Sequence, residues 1–214
     1  VSPMVRSDFQ KMTSTPVELI TNGFDDDDFN KGFESDEFFN ITHTGLFAAD
    51  GNPETLWKVL SDKCESDKEF QGALRIRLIG KTDKEIISSI EKAGLGRNLK
   101  DFGYQSHDVA VKEQRNASIL ILPLRKEPEY EAVLPGKLFE YLASRRPILV
   151  IGQSEGALAK VIRDTGTGIV FDWTEENKIR SYIDLCWEEF KEGELRDNSA
   201  DISMYGRRRL TRKL

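Results

Sequence analysis

The sequence is poor in the residues that announce metal or redox chemistry, with two cysteines and two histidines in 214 residues. Cys64 and Cys186 lie far apart and in no metal-binding or redox spacing, which reads as two reduced thiols of a cytosolic protein. Long apolar runs are missing as well. The strongest, over 118–124, is far too short to cross a bilayer, and no signal peptide is expected ahead of the fold. Positive charge is not in excess: 31 Lys and Arg against 37 Asp and Glu leave a formal charge of −6, and there is no long basic face rich in aromatics. That sets nucleic acid aside as a partner. The chain starts at Val1 and stops abruptly at Arg-Lys-Leu214, so an excerpt of a longer protein is expected. The length accommodates one α/β domain with a sizeable core or two small ones, and the single domain is preferred.

What is present is an alternation of two periodicities. Residues 38–43 read as a strand ending near Gly45, and Asn52 with Pro53 then opens a helix to about Ser66. Residues 74–79 alternate and close on Gly80. Thr82 or Asp83 caps a helix through Ala93, where Gly94 stops it. A short strand over 99–102 precedes a helix that Ser106 caps and that runs to about Asn116. Residues 118–123 form an apolar run of the kind parallel sheets bury. Further strands are expected over 147–151 and 168–171, a helix over 155–164, and two last helices over 175–191 and 203–213. Strand and helix taking turns in this way specify a parallel, doubly wound α/β sheet. Ligands of such sheets sit beyond the carboxyl ends of the strands, where the strand order reverses. The loops at Thr44-Gly-Leu-Phe47, Gly80, Gly103-Tyr-Gln-Ser106, 123–136 and Gly152 are therefore the informative ones. Glycine there suits close approach to a ligand, although glycine also simply ends strands.

Within the fourth loop, Val133-Leu-Pro-Gly-Lys-Leu-Phe-Glu-Tyr-Leu-Ala143 reads as a loop entering a short helix. Pro135 and Gly136 leave the first N–H groups of that helix open, and Lys137 adds charge to an end the macrodipole already makes positive. This is a prepared anion site. Glu140 lies about one turn on and can accept bonds from a pair of hydroxyls beside the anion, so a phosphate next to a diol suggests a nucleotide. The alternatives for Glu140 and Lys137 are solvated helix charges.

Together with that motif, Ile20-Thr-Asn-Gly-Phe-Asp25, Thr44-Gly-Leu-Phe47, Leu78-Ile-Gly80, Gly103-Tyr-Gln-Ser-His107 and Ile119-Leu-Ile-Leu-Pro123 occur in an order and spacing that resemble the C-terminal half of GT-B glycosyltransferases, in particular bacterial enzymes of capsule or surface polysaccharide synthesis. The resemblance spans nearly the whole chain. It implies a Rossmann-like donor-binding domain over 31–214, with 1–30 as the interdomain segment from an absent N-terminal half. Gly45, Leu46, Gly136 and Lys137 then correspond to the diphosphate-binding loops, Glu140 to the ribose-binding glutamate, and Gly103, Tyr104 and Gln105 to the loop that meets the base. The implied ligand is a nucleoside-diphosphate sugar as substrate, with no metal or other cofactor. The acceptor is a saccharide or a lipid-linked saccharide, and any general base comes from the N-terminal GT-B domain. The fragment alone is expected to bind donor weakly and to catalyse nothing.

Two departures from the family pattern stand out. Eight residues before Glu140 is Ala132, with Glu131 one step away, where many retaining members carry a second glutamate. Leu46, Phe47, Ala48 and Ala49 also stand where many members place a basic pair that neutralises the leaving diphosphate. Lys81, Arg125 or Lys137 are candidates to substitute, and His43 is a candidate to face the leaving phosphate or else a satisfied strand-end histidine. The acidic run Asp25-Asp-Asp-Asp28 lacks calcium-loop spacing and reads as a solvated interdomain loop rather than a metal site. The basic tail at Arg207-Arg-Arg209, Arg212 and Lys213 is either a peripheral contact for the inner membrane face or the exposed side of the last helix. Two other functions remain open on sequence: a nucleotide-sugar epimerase of the same fold, and a non-catalytic α/β binding module. A receiver module wants an aspartate at the end of a central strand, and 119–123 ends without one.

Overall fold

The computed structural model describes residues 2–29, 37–194 and 201–213. The domain boundary expected between residues 30 and 31 lies outside them. Six strands, β1 (Phe39–Thr44), β2 (Leu74–Ile79), β3 (Leu99–Gly103), β4 (Ile119–Pro123), β5 (Ile148–Ile151) and β6 (Gly168–Phe171), form one parallel sheet in the order β3-β2-β1-β4-β5-β6. The direction of winding reverses between β1 and β4, so a crevice is expected above their carboxyl ends.

Helices α1 (Pro3–Met12), α2 (Glu54–Ser66), α3 (Lys68–Ala73), α4 (Lys84–Lys92), α5 (His107–Arg115), α6 (Gly136–Ala143), α7 (Ala157–Thr165), α8 (Glu176–Lys191) and α9 (Arg207–Thr211) complete the described chain. Sequence periodicity finds the strands to within a residue or so. It misses α1 and α3, and the last expected helix is a short 3-10 turn (Ser203–Tyr205) followed by α9. Several expected caps are not made by side chains. Asn52 Oδ1 instead accepts from Trp57 Nε1 at 2.8 Å, so Pro53 becomes the N-cap of α2, and Asp83 Oδ2 accepts from Ala49 N at 3.0 Å. In the first case the partner lies within the helix itself, and in the second it lies on the loop after β1.

The central strands bury both faces, and their side chains alternate between two apolar clusters. Ile119, Ile121, Leu149 and Ile151 join Trp57, Phe70, Ile179 and Trp187 on one face. Leu120, Leu122, Ile148 and Val150 join Leu138, Leu142, Leu158, Ile162 and Tyr205 on the other. Strand β1 breaks the pattern. Phe39 and Ile41 belong to the first cluster, but Asn40, Thr42 and Thr44 point the other way and are buried. Helix α5 covers that polar stripe with polar residues of its own, Glu113 and Gln114, and Glu113 pairs with Arg77 of β2 at 2.9 Å.

The chain before β1 is tied to the chain after α8. Phe24 forms a parallel bridge with Gly206, Phe24 N donates to Tyr205 O at 3.1 Å, and Arg207 N returns to Phe24 O at 2.9 Å. The acidic run is not freely solvated: Asp26–Phe29 is a 3-10 turn, Asp27 takes Arg208 at 2.8 Å, and Asp28 takes His107 at 2.9 Å. The basic residues Arg207, Arg208 and Arg209 form the exposed side of the last helix, with Arg207 Nε donating to Gly23 O and Arg209 to Ser203 Oγ at the surface. No helix among the described residues is long and apolar enough to cross a membrane.

Candidate functional site

The loops after β1 and β2 are locked together before any ligand is considered. Gly45 N donates to Ile79 O at 2.7 Å, and Phe47 N donates to Lys81 O at 2.9 Å. Gly80 has φ +124°, and a Cβ on it would lie 2.4 Å from Gly45 O. Glycine at 80 is thus required by the close approach of two loops as well as by its dihedral. Gly45 has φ +87° and is exposed, and a Cβ on it would lie 3.5 Å from the Lys137 side chain.

Opposite this loop stands the first turn of α6. Pro135 is its N-cap, Gly136 is exposed, and its first turn carries no acidic residue to occupy the unpaired N–H groups. Lys137 reaches from the helix mouth across Gly45, and its Nζ donates to Leu46 O and lies against His43 Nε2, both at 2.9 Å. Four residues expected to serve one phosphate site are therefore gathered at one place. The Lys137 ammonium is partly desolvated, and burial lowers its pKa from 10.5 to about 8 despite the nearby Glu140 carboxylate.

His43 is buried at the end of β1 and stacks on Phe47 with ring centroids 4.2 Å apart. Burial first, and the Lys137 charge second, push its pKa well below the ordinary 6.5, so it is neutral at pH 7. Because Nε2 accepts from an ammonium, the ring proton resides on Nδ1. His43 and Lys137 line a pocket of about 210 Å³ with Leu46, Asp50, Arg125 and Tyr130. Arg125 holds Asp50 at 3.0 Å and lies over the Tyr130 ring. Lys81 is exposed and outside this pocket.

Glu140 projects from α6 one turn beyond Gly136, into a polar cluster that sequence reasoning missed. Gln114 Nε2 of α5 donates to Glu140 Oε2 at 2.9 Å and to Thr44 Oγ1 at 3.0 Å. Ser144 Oγ stands 3.2 Å from Gln114 Oε1, and Tyr141 OH accepts from Thr44 N at 2.9 Å. Burial pushes the Tyr141 phenol up to about 12, so it remains neutral. The readable signal was the Asn40, Thr42, Thr44 alternation in an otherwise apolar strand.

The loop expected at the base lies on the Glu140 side. Gly103 has φ +60° and its carbonyl accepts from Gly80 N at 2.8 Å. Tyr104 is 90 % exposed, while Gln105 Nε2 folds back on Phe102 O at 2.6 Å. His107, two residues on, has its pKa raised chiefly by its hydrogen bond to Asp28, and it also feels the Glu140 charge. Among the described residues no group of three or more His, Cys, Asp or Glu is arranged to hold a metal ion.

A helix mouth without an acidic first turn, a facing glycine turn and a carboxylate one turn away stand together at the reversal point of a doubly wound, Rossmann-like α/β sheet. The pattern of the family described as glycosyl transferases group 1 matches residues 25–207, and the chain belongs to that family. No curated protein matches the sequence. Its fold is that of the GT-B glycosyltransferases. A glycosyltransferase from Rickettsia africae is 16 % identical, with TM-score 0.75 over all of this chain and 60 % of its own. A variant of S. aureus TarM, solved with UDP, is 17 % identical with TM-score 0.69 over all of this chain and 42 % of its own. The C-terminal domain of a group 1 glycosyltransferase from Francisella tularensis is 16 % identical with TM-score 0.59, and here 89 % of this chain covers 98 % of that one. This chain thus spans roughly half the length of the larger enzymes and nearly all of an isolated C-terminal domain.

Proposed function

We propose that this chain is the donor-binding half of a glycosyltransferase of hexosyltransferase type, acting on a nucleoside-diphosphate sugar without a metal. The observation that carries the reading is Lys137, whose ammonium spans from the mouth of α6 to Leu46 O and so brings a cation and the first turn of the helix up to the Gly45 turn. As the sugar leaves, charge grows on the diphosphate. Donors already placed there stabilise it with little reorganisation. Glu140 accepts the ribose hydroxyls, each charge-assisted bond contributing about 1.5–3 kcal/mol. Gly103, Tyr104 and Gln105 meet the base, with Tyr104 free to stack on it. The neighbour solved with UDP supports a nucleoside diphosphate as ligand.

The acceptor is a saccharide or a lipid-linked saccharide in surface polysaccharide synthesis, a reading that leans on neighbours such as WaaG, a glycosyltransferase involved in lipopolysaccharide biosynthesis. The acceptor site and any general base belong to an N-terminal GT-B domain, so the 214-residue chain alone is inactive. The enzyme works in the cytoplasm, at the inner membrane face when its acceptor is lipid-linked. Calorimetric titration with UDP, GDP, ADP and TDP in metal-free buffer tests this. One diphosphate is expected to bind with Kd between about 10 μM and 1 mM, and Glu140→Ala to weaken it by about tenfold or more. Failure of all four to bind would overturn the donor-site reading.

A further inference from the structure

Gln114 has no place in the proposed binding set, yet it is wholly buried and its amide sits between two other side chains. A carboxylate only accepts hydrogen bonds, so the Nε2 end must face Glu140, and the same nitrogen then has its second proton for Thr44 Oγ1. Both protons are thereby used. Ser144 Oγ, one turn after Glu140, lies 3.2 Å from the remaining amide oxygen and 2.8 Å from Glu140 O, and shares its one proton between them. Glu140 Oε1 carries no hydrogen bond among the described residues. One carboxylate oxygen is held from behind and the other is left for a ligand.

We infer that Gln114 is a positioning residue, which fixes the rotamer of Glu140 and ties it to Thr44, the residue immediately before the Gly45 turn. The inference rests on the donor-site reading and deepens it by saying how ribose recognition is built. An unsupported glutamate has three side-chain torsions, and on binding a diol it must give up the corresponding rotamer freedom. Gln114 removes that cost before the ligand arrives. It also ties Glu140 to the strand end that leads into the Gly45 turn, since Thr44 Oγ1 accepts from Gln114 while Thr44 N donates to Tyr141 OH. A glutamine serving only to fill the space beneath α5 would contribute to stability without affecting which sugar ring of the nucleotide is preferred.

The test compares ribonucleoside diphosphates (UDP, GDP, ADP) with their 2′-deoxy counterparts on the wild-type chain, on Gln114→Met and on Thr44→Val. Gln114→Met keeps the length of the side chain and removes its polar end. Thr44→Val removes the second anchor of Gln114 with little change of volume and serves if the first variant does not fold. For the preferred base, the wild type is expected to favour ribose over deoxyribose by about tenfold, the worth of one charge-assisted bond. In either variant that ratio is expected to fall by threefold or more, with affinity for the deoxy ligand nearly unchanged. A folded variant that retains the wild-type ratio, or that weakens both ligands equally, overturns the positioning role while leaving the donor site standing. A wild type that binds no diphosphate overturns the donor-site reading itself, and a wild type indifferent to the 2′-hydroxyl overturns the ribose role of Glu140; either result removes the inference with it.

Discussion

Lys137 carries a charge that folding disfavours and the ligand requires, and the two demands have opposite pH dependence. Its pKa is about 8 in the folded chain against 10.5 for the free side chain. Between those values the unfolded state binds more protons than the folded one, so stability from this group is complete above 10.5 and is lost as pH falls through about 8. Diphosphate affinity runs the other way, because the anion is attracted only to the protonated amine. Between pH 7 and pH 9 the wild-type affinity is expected to drop by up to about tenfold, and titrations of Lys137→Met over the same range are expected to be flat. An equally steep decline in the variant would assign the titration elsewhere. His43 does not interfere in that window, since its depressed pKa keeps it neutral throughout. The meeting of Gly45, Leu46 and Lys137 was legible from residue type, whereas Gln114 was not: an amide inside a polar helix has no sequence signature until its neighbours are known.

The elements that matter most are the three loops after β1, β2 and β3, and their glycines are not equivalent. Gly80 and Gly103 both have positive φ, but a side chain at 80 would collide with the Gly45 backbone while one at 103 meets nothing within 4 Å. Gly103→Ala is therefore expected to cost about 1 kcal/mol, the left-handed penalty alone, and Gly80→Ala about 3 kcal/mol or more because a loop must also move. Urea unfolding of the two variants checks the difference, and equal costs would mean that the two loops part easily. The Gly80 variant is further expected to lose diphosphate binding, since the atom it displaces belongs to the turn at Gly45. Helix α5 shows the same dependence on context. Its polar residues lie on the polar stripe of β1, where Glu113 and Gln114 meet Arg77 and Thr44.

For the molecule as a whole, residues 23–28 are joined to residues 203–208, and Tyr205 seats this junction on α6. Tyr205 packs against Phe139 of that helix with ring centroids 5.4 Å apart, and its carbonyl holds Phe24. Tyr205→Ala is expected to cost about 3 kcal/mol, as large-to-small changes in cores do, which for a domain of this size lowers Tm by about 6–12 °C. Met204→Ala, next to it and half exposed, is the control and is expected to shift Tm little. Thermal unfolding distinguishes a seated segment from a loose one: a Tyr205 variant that melts with the wild type would show that the terminal segments do not stabilise the donor site. Because Phe139 adjoins Glu140, the same substitution is expected to reduce nucleotide affinity by more than Met204→Ala does.

The alternation of apolar strands with capped helices determined the doubly wound sheet, and strand-end glycines with the Pro135, Gly136, Lys137, Glu140 spacing determined which loops and which helix mouth line the crevice. These are local properties, set by backbone dihedrals, hydrogen-bonding capacity and periodicity, and they are written within a few residues of each other. Tertiary structure alone decided that Lys137 bonds to Leu46 O across the crevice, that Gln114 holds Glu140, that the Asp83 carboxylate bonds to Ala49 N, and that Asp27 of the acidic run pairs with Arg208 of the basic tail. Each of these joins residues distant in the chain. Such pairings depend on which groups the packed sheet leaves without water, and burial of that kind is a property of the assembled layers rather than of any stretch of sequence.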